Sequence, residues 1–424
     1  MKKILMIFYA FPPRSSIGAI RNAKFVEYLP KYNWQPIILT REWKNELLPL
    51  QEPSKTIIYR TSYKDNLNSF YGVSNIGKND FIKNLKNKIS PKMKKWIKLI
   101  IKEILAYPDE NISWKKEAVR MGRMIIKKEK PDIIFSSSSP VTSHIVAYVL
   151  NEEFHIPWIA DFRDLWTQNH YIHHTFFRRI LEKKLEKNIL EKADLLITVS
   201  DPLAQKLEKL HNKKVKVITN GFEPKDYPSR PSSTNFFSLT YTGSLYEGKR
   251  DPSLLFMALK ELLREKIISS KNFQVRFYGP KEQKLIELIN LYQLQDIVSW
   301  KGTVNYKESL IKQMESTVLL LFNWLSTEEK GVYTGKVFEY LGAKRPILAI
   351  PKNNGVIDEL LENTKAGVVA NNKNEIKEII RNWYVLYKKN GNLPYQGKDS
   401  VIVNYTRQKC TEKLAQILNN LNNS

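Results

Sequence analysis

The chain has 424 residues, too many for one core at roughly 150 residues per domain, so two domains are expected. A formal charge of +25 points to an anionic partner, while a single cysteine, Cys410, excludes an intrachain disulfide or a cysteine-held metal and fits a reducing compartment. The content is that of a globular chain, 42% hydrophobic with 11% aromatics, and no apolar run approaches the roughly 20 residues that cross a bilayer.

The start, MKKILMIFYAFPPR, is basic and then apolar, but Pro12 and Pro13 stand where a leader would place small residues, so it reads as a first buried strand. The run Lys3 to Phe11, a helical pattern from Ala19 to Tyr32 and a second apolar run, Pro36 to Thr40, form the strand, helix, strand unit of a parallel sheet covered on both faces. The alternation continues through DIIFSSSS, a helix from Thr142 to Glu153, PWIADF, a Lys/Glu-rich helix from Thr175 to Lys192, DLLITVS and KVKVITNGF. Residues 223–236, EPKDYPSRPSSTNF, are dense in Pro, Ser and Asn without hydrophobic periodicity and read as a linker. A second round follows: FSLTYTGSL, a helix from Pro252 to Glu265, QVRFYG, a helix from Glu282 to Tyr292, IVSWKG, TVLLLFN and RPILAIP. The expected fold is α/β, two doubly wound Rossmann-like domains over 1–222 and 237–398, with ligands at the carboxyl ends of the strands and a cleft between the domains.

In the first domain, FPPRSSIGAIRNAKF puts a glycine at the first strand-to-helix turn without the spacing of a dinucleotide fingerprint, so a nicotinamide cofactor is not expected. Gly18 and Arg21 suit a loop that opens toward a ligand. The segment PKMKKWIKLIIKEIL, with the lysines before it, places apolar residues on one helical face and lysines on another, so 83–105 reads either as a core-facing helix or as contact with an anionic membrane surface. In SSSSPVTSH, the hydroxyls of Ser138 and Ser139 and the nearby His144 are candidates to hold an acceptor sugar. In IPWIADFRDLW a buried strand ends on Asp161, Arg163 and Asp164, charges that are expensive to bury unless they pair or bind, so they read either as an ion-pair network or as candidates for a catalytic, acceptor-contacting site. His170, His173 and His174 lack a carboxylate or cysteine partner at metal spacing, and no Asp-x-Asp pair occurs, so no metal is expected.

In the second domain, YTGSLYEGKRDPSLL runs a strand into a glycine turn at Gly243 and Ser244, with Lys249 and Arg250 before the next helix. Cations there can clamp a diphosphate and neutralise charge on a departing nucleotide. VYTGKVFEYLGAKRPILAI offers Thr334 as an N-cap, Gly335 for close approach of a phosphate, Lys336 for charge and Glu339 one turn later for a sugar hydroxyl pair. An ordinary capped helix accounts for that stretch taken alone.

Taken together and in order, FPPRSSIGAIR, PDENISW, SSSSPVTSH, IADFRDLW, ITNGF, YTGSLYEGKRDP, FYGP and YTGKVFEYLGAKRPILAI make the chain resemble family 4 glycosyltransferases of the GT-B fold, in particular bacterial surface-polysaccharide enzymes. The resemblance implies retaining, metal-independent transfer of a sugar from a nucleotide-sugar, without a cofactor, to a glycan or polyprenyl-diphosphate-linked acceptor. It implies a cytoplasmic protein peripheral on the inner face of the membrane. It places Glu339 on the nucleotide ribose, Thr334 and Gly335 on the diphosphate, Lys249 or Arg250 on the phosphates, Gly279 under the base and Gly18 on donor phosphate from the other domain. It also implies that the last segment, 399–424, returns as a helix to the first domain. Gly331 stands eight positions before Glu339, where the resemblance places another glutamate, with Glu328 and Glu329 just upstream. Competing readings are a nucleotide-sugar epimerase or hydrolase of the same fold, and a non-catalytic nucleotide or nucleic-acid binder. Nucleic acid is disfavoured because the basic residues are not interleaved with an aromatic stacking platform.

Overall fold

The computed structural model describes residues 1–44, 46, 49–54, 56–62, 90, 106–172, 174–228, 236–324 and 326–422. They form two compact units, Met1–Ile218 with Thr411–Ser424, and Thr219–Cys410.

The first unit holds seven parallel strands: β1 (Lys2–Phe8), β2 (Trp34–Arg41), β3 (Ile57–Thr61), β4 (Ile133–Ser138), β5 (Trp158–Phe162), β6 (Leu195–Thr198) and β7 (Val215–Val217). Their order is β3-β2-β1-β4-β5-β6-β7, so the winding direction reverses between β1 and β4. The described helices are α1 (Ile17–Tyr28), α2 (Trp114–Glu129), α3 (Thr142–Phe154), α4 (Phe176–Leu190) and α5 (Asp201–His211). Ile4 to Phe8 are all without exposure, which is why β1 is written as an unbroken apolar run rather than an alternating one.

The second unit repeats the plan with β8 (Phe237–Thr242), β9 (Phe273–Tyr278), β10 (Val298–Trp300), β11 (Val318–Phe322), β12 (Ile347–Ile350) and β13 (Gly367–Val369), again all parallel. Its order, β10-β9-β8-β11-β12-β13, puts the reversal between β8 and β11. Helices α6 (Ser253–Arg264), α7 (Gln283–Tyr292), α8 (Tyr306–Met314), α9 (Gly335–Ala343), α10 (Val356–Thr364) and α11 (Lys373–Asn390) accompany the strands. One core joins β8, β9 and β11 to α6, α7 and α11, and another joins β11 and β12 to α9 and α10.

Two boundaries differ from the sequence expectation. Residues 219–228 belong to the second unit rather than to a linker, because Pro224 opens a 3-10 turn that the buried Glu223 caps and Tyr227 Oη donates to the Glu339 carbonyl at 2.8 Å. The remainder of the expected linker, 229–235, lies outside the described residues. At the other end α12 (Asp399–Ile402) and everything to Cys410 stay with the second unit. Only from Thr411, within α13 (Arg407–Asn422), does the chain join the first unit, where Leu414, Ala415 and Leu418 are buried and Trp34 Nε1 donates to Asn419 Oδ1 at 2.9 Å.

Candidate functional site

At the reversal point of the second sheet, β8 ends on Thr242 and the chain turns through Gly243 at φ +114°, a conformation that side chains rarely adopt. Gly279, just past β9, packs so close that a Cβ there would fall 2.8 Å from the Gly243 carbonyl carbon. Lys336 covers this glycine pair, since a Cβ on Gly243 would lie 2.6 Å from its Nζ.

Lys336 is the second residue of α9. Thr334 occupies the N-cap position in extended conformation, but its side chain makes no capping hydrogen bond; Val337 N donates to the Thr334 carbonyl at 3.2 Å, so the Gly335 and Lys336 N–H groups with the helix dipole make an anion-favouring end. The Lys336 ammonium sits 5.3 Å from the Tyr241 ring centre. Burial, and after it the charge of Arg250, bring its pKa down to about 7 against the opposing pull of Glu339 and Glu282.

Glu339 follows one turn later. Burial raises its pKa, against the lowering effects of a hydrogen bond from Gln313 and the charges of Lys336 and Arg407. Gln313, fully buried on α8, brings Nε2 to 3.1 Å from Glu339 Oε2 and to 3.2 Å from Thr242 Oγ1. The Thr242 N–H donates to Tyr340 Oη at 3.2 Å. The end of β8, the end of α8 and the middle of α9 are thus locked by one polar network, a role for Gln313 that the sequence did not announce.

The loop after Gly243 is organised by another residue absent from the sequence reading. The Glu282 carboxylate accepts from Leu245 N at 2.6 Å, Glu247 N at 2.9 Å and Ser244 Oγ at 2.9 Å, so the Ser244 hydroxyl is committed internally. The two expected clamp cations are held by different rings: Lys249 Nζ lies 4.5 Å from the Trp324 ring centre and the Arg250 guanidinium 4.7 Å from that of Tyr246. Arg250 also reaches the Tyr241 hydroxyl, whose pKa is pushed up to about 12 by burial and drawn back by that cation. Gly331 ends a 3-10 helix, Thr327–Gly331, in which Glu329 is buried and Glu328 exposed.

The first unit corrects several expectations. Asp161 is wholly buried and pairs with the equally buried Arg21 at 2.5 Å, while Ser137 Oγ donates to the same carboxylate oxygen at 2.7 Å and Arg21 Nη2 to the Ile218 carbonyl at 3.0 Å. The Asp161 charge at the end of β5 is thus met by an internal pair, while its Oδ1 has no hydrogen-bond partner among the described residues. His144 is fully buried between Trp158 and Phe162, with Nδ1 2.8 Å from Ser136 Oγ, and desolvation, helped by Arg163, lowers its pKa to about 3. It is a neutral core histidine, out of reach of an acceptor. Ser138 is buried too.

Asp164 and Ser139 are exposed at this strand end and Arg163 is half-buried. Arg163 donates from Nε to the Ser138 carbonyl at 2.7 Å and from Nη2 to the Ser139 carbonyl at 3.0 Å, and its guanidinium fills the space that a side chain on Gly18 would need. Burial lowers its pKa, with Asp164 opposing. In PDENISW, Asp109 caps α3 by accepting from Thr142 N at 2.8 Å and Thr142 Oγ1 at 2.7 Å; burial raises its pKa. Its contribution here is to the fold.

Among the described residues no group of three or more His, Cys, Asp or Glu side chains is arranged to hold a metal ion, and no helix is long and apolar enough to cross a membrane. The His170 and Tyr171 ring centres are 4.0 Å apart with the planes tilted by 40°, His174 lies 3.6 Å from Glu182, and His173 and the segment 83–89 with 91–105 lie outside the described residues.

Two parallel doubly wound units, a glycine turn facing a helix start with a lysine and a carboxylate one turn apart, and a last helix shared between the units are now in place. Residues 90–226 match the model of Glycosyltransferase Family 4. That match covers about a third of the chain, and the two-unit architecture is the GT-B fold. Sucrose-phosphate synthase of Thermosynechococcus elongatus is similar over 99% of each chain at 13% identity and a TM-score of 0.66. HepE of Anabaena, in complex with UDP and glucose, is similar over 99% of this chain and 100% of its own at 12% identity and a TM-score of 0.61. The lipopolysaccharide outer core galactosyltransferase WaaB is similar over 98% of this chain and 99% of its own at 12% identity and a TM-score of 0.55. At these identities the likeness is one of fold. A comparison with curated proteins matches none of them.

Proposed function

We propose that the chain transfers a sugar from a nucleotide-sugar, with retention of anomeric configuration and without a metal, to a glycan or polyprenyl-diphosphate-linked acceptor in surface-polysaccharide synthesis at the cytoplasmic face of a membrane. The observation that carries this reading is the start of α9: the uncapped Gly335 and Lys336 N–H groups, the Lys336 ammonium over the Gly243 turn and the Glu339 carboxylate one turn on. A diphosphate suits the first two, and a ribose diol suits the third.

In this reading the Lys336 ammonium and the α9 N–H groups take up the charge that develops on the leaving diphosphate, with Arg250 beside them and Lys249 at the rim. A donor phosphate oxygen receives the acceptor hydroxyl proton, since Asp161 is committed to Arg21. Arg163, next to Gly18, is the first unit's candidate for contact with donor or acceptor. The net charge of +25 favours anionic donors, carriers and membranes alike. HepE and WaaB, as a UDP and glucose complex and a lipopolysaccharide galactosyltransferase, make UDP-hexoses the first donors to try.

The test is calorimetric titration with UDP and a panel of nucleotide-sugars, followed by transfer assays with and without EDTA and NMR of the product anomer. Binding that Glu339→Ala weakens by roughly 10- to 100-fold supports the donor site, on the usual strength of a hydrogen bond to a charged group. Unaltered binding in that variant, or an inverted or EDTA-sensitive product, would overturn the corresponding part of the reading.

A further inference from the structure

Helix α4, FFRRILEKKLEKNIL, is folded inside out. A surface helix ordinarily buries an apolar stripe and wets its charges. Here the buried stripe includes Arg178, Glu182 and Glu186, and the apolar residues of the first two turns face outward, with Phe176 70%, Phe177 78%, Ile180 51% and Leu181 58% exposed.

The buried charges are well satisfied. Arg178 donates from Nη2 to the carbonyls of Ala106 at 2.8 Å and Pro108 at 2.9 Å and from Nε to Glu182 Oε1 at 2.7 Å. Glu186 accepts from Thr167 N at 3.1 Å and lies 3.2 Å from His211 Nε2. This network fixes the rotation of the helix about its axis, because turning the phenylalanines inward would strand several buried charges. The exposed apolar face is therefore an enforced feature of the fold, and Tyr171 and Ile172, both exposed just before the helix, extend the apolar character in sequence.

The occupant of this face follows from its charge pattern. Lys184 and Lys187 follow Phe177 and Ile180 at seven-residue spacing, so the apolar face of the first two turns continues into lysines, and Arg179 and Lys183 flank it. Among the described residues none of these four cations is in an ion pair. Protein interfaces are depleted in lysine at their centres. A face with phenylalanines at one end and free lysines along the rest matches instead the layering of a bilayer surface, with acyl chains below and anionic phosphates above.

We propose that α4 docks the first unit on an anionic lipid bilayer, with Phe176, Phe177, Ile180 and Leu181 entering the acyl boundary and Lys183, Lys184 and Lys187 meeting the headgroup phosphates. Vesicle binding needs no donor, so this inference stands or falls separately from the donor site at Glu339.

The experiment is co-sedimentation of the full chain with phosphatidylcholine vesicles, with and without phosphatidylglycerol, at low and high salt. Wild type is expected to bind the anionic vesicles in a salt-sensitive way. Phe176→Ser with Phe177→Ser lowers the partition coefficient by about tenfold or more, the equivalent of losing the burial of one ring or more, while melting temperature and UDP affinity stay at wild-type values. Lys183→Glu with Lys184→Glu removes the preference for phosphatidylglycerol. Absence of binding by wild type, equal binding by the serine variant, or concentration-dependent dimerisation that the serine variant abolishes without any vesicle binding would each overturn the proposal.

Discussion

The Lys336 ammonium occupies the volume that a side chain at Gly243 would claim, 2.6 Å from an added Cβ. Gly243→Ala must therefore move the lysine and also hold alanine at φ +114°. The strain costs about 1 kcal/mol or more, and the displaced lysine no longer sits at the start of α9. The expected outcome is a lower melting temperature together with UDP binding weakened by about tenfold or more, the loss of one charge-assisted contact. Gly391→Ala is the control: it forces alanine into φ +73° with nothing within 4 Å to displace. It should cost stability and leave nucleotide affinity unchanged, as calorimetry and thermal melts on the two variants will show.

The depressed pKa of Lys336, about 7, makes donor binding pH-dependent near neutrality. Below pH 7 the ammonium is charged and attracts a diphosphate; as pH rises through 7 the free protein loses that charge, so affinity falls from pH 6 to pH 8.5. A bound diphosphate restores the charged form, so binding above pH 7 takes up a proton. Calorimetry in buffers of different ionisation enthalpy will detect it, and Lys336→Arg should remove the uptake while retaining binding. For stability the sign is opposite to that of a paired lysine: the unfolded chain binds the proton more tightly, so this group penalises folding below pH 7 and the penalty fades as pH climbs toward 10. Lys336→Met is expected to raise the melting temperature at pH 7 by roughly 2–4 °C, the shift for about 1 kcal/mol in a unit of this size, while weakening UDP.

Glu282 fills the turn after Gly243 with a carboxylate that three groups of the loop donate to. Glu282→Ala leaves those donors to solvent and removes the tie between α7 and the loop bearing Lys249 and Arg250. The loop should become a site of rapid limited proteolysis, and KM for the donor should rise several-fold with kcat less affected, because the cations are displaced rather than deleted. Glu282→Gln, which can still accept two of the three bonds, should recover most of the wild-type KM; unchanged proteolysis in the alanine variant would argue that the loop is held by its aromatic contacts instead.

The sequence made the central strands plain because each is buried on both faces and so reads as a continuous apolar run; β1 and β11 are the clearest cases. It hid β3 and β13, which are short, at sheet edges and only partly buried. The start of α9 was legible because Thr334, Gly335 and the apolar spacing after them are local features, although Thr334 makes no capping bond. Gln313 and Glu282 were not, since their function depends on partners 26 to 71 residues away for the first and 35 to 38 for the second. The partner of Asp161 was hidden for the same reason, since Arg21 lies 140 residues away along the chain.

That pair supports a last prediction, which separates architecture from chemistry in the first unit. Removing one member of a buried ion pair leaves the other uncompensated and typically costs about 3–5 kcal/mol, so Asp161→Ala and Arg21→Ala should each lower the melting temperature by more than about 6 °C. Replacing both by apolar residues, Arg21→Met with Asp161→Leu, should recover much of that loss, since no lone charge remains. If this double variant also retains transfer activity, Asp161 is not the base. Arg163→Ala should behave in the opposite way: its guanidinium binds two carbonyls at the sheet's end, and of the two carboxylates that favour its charge Asp164 is exposed and Asp161 keeps Arg21. A modest change in melting temperature with a large loss of kcat/KM is expected there, and a melting temperature that falls as far as in Asp161→Ala would make Arg163 a structural brace between α1 and β5 rather than a group that meets the substrate.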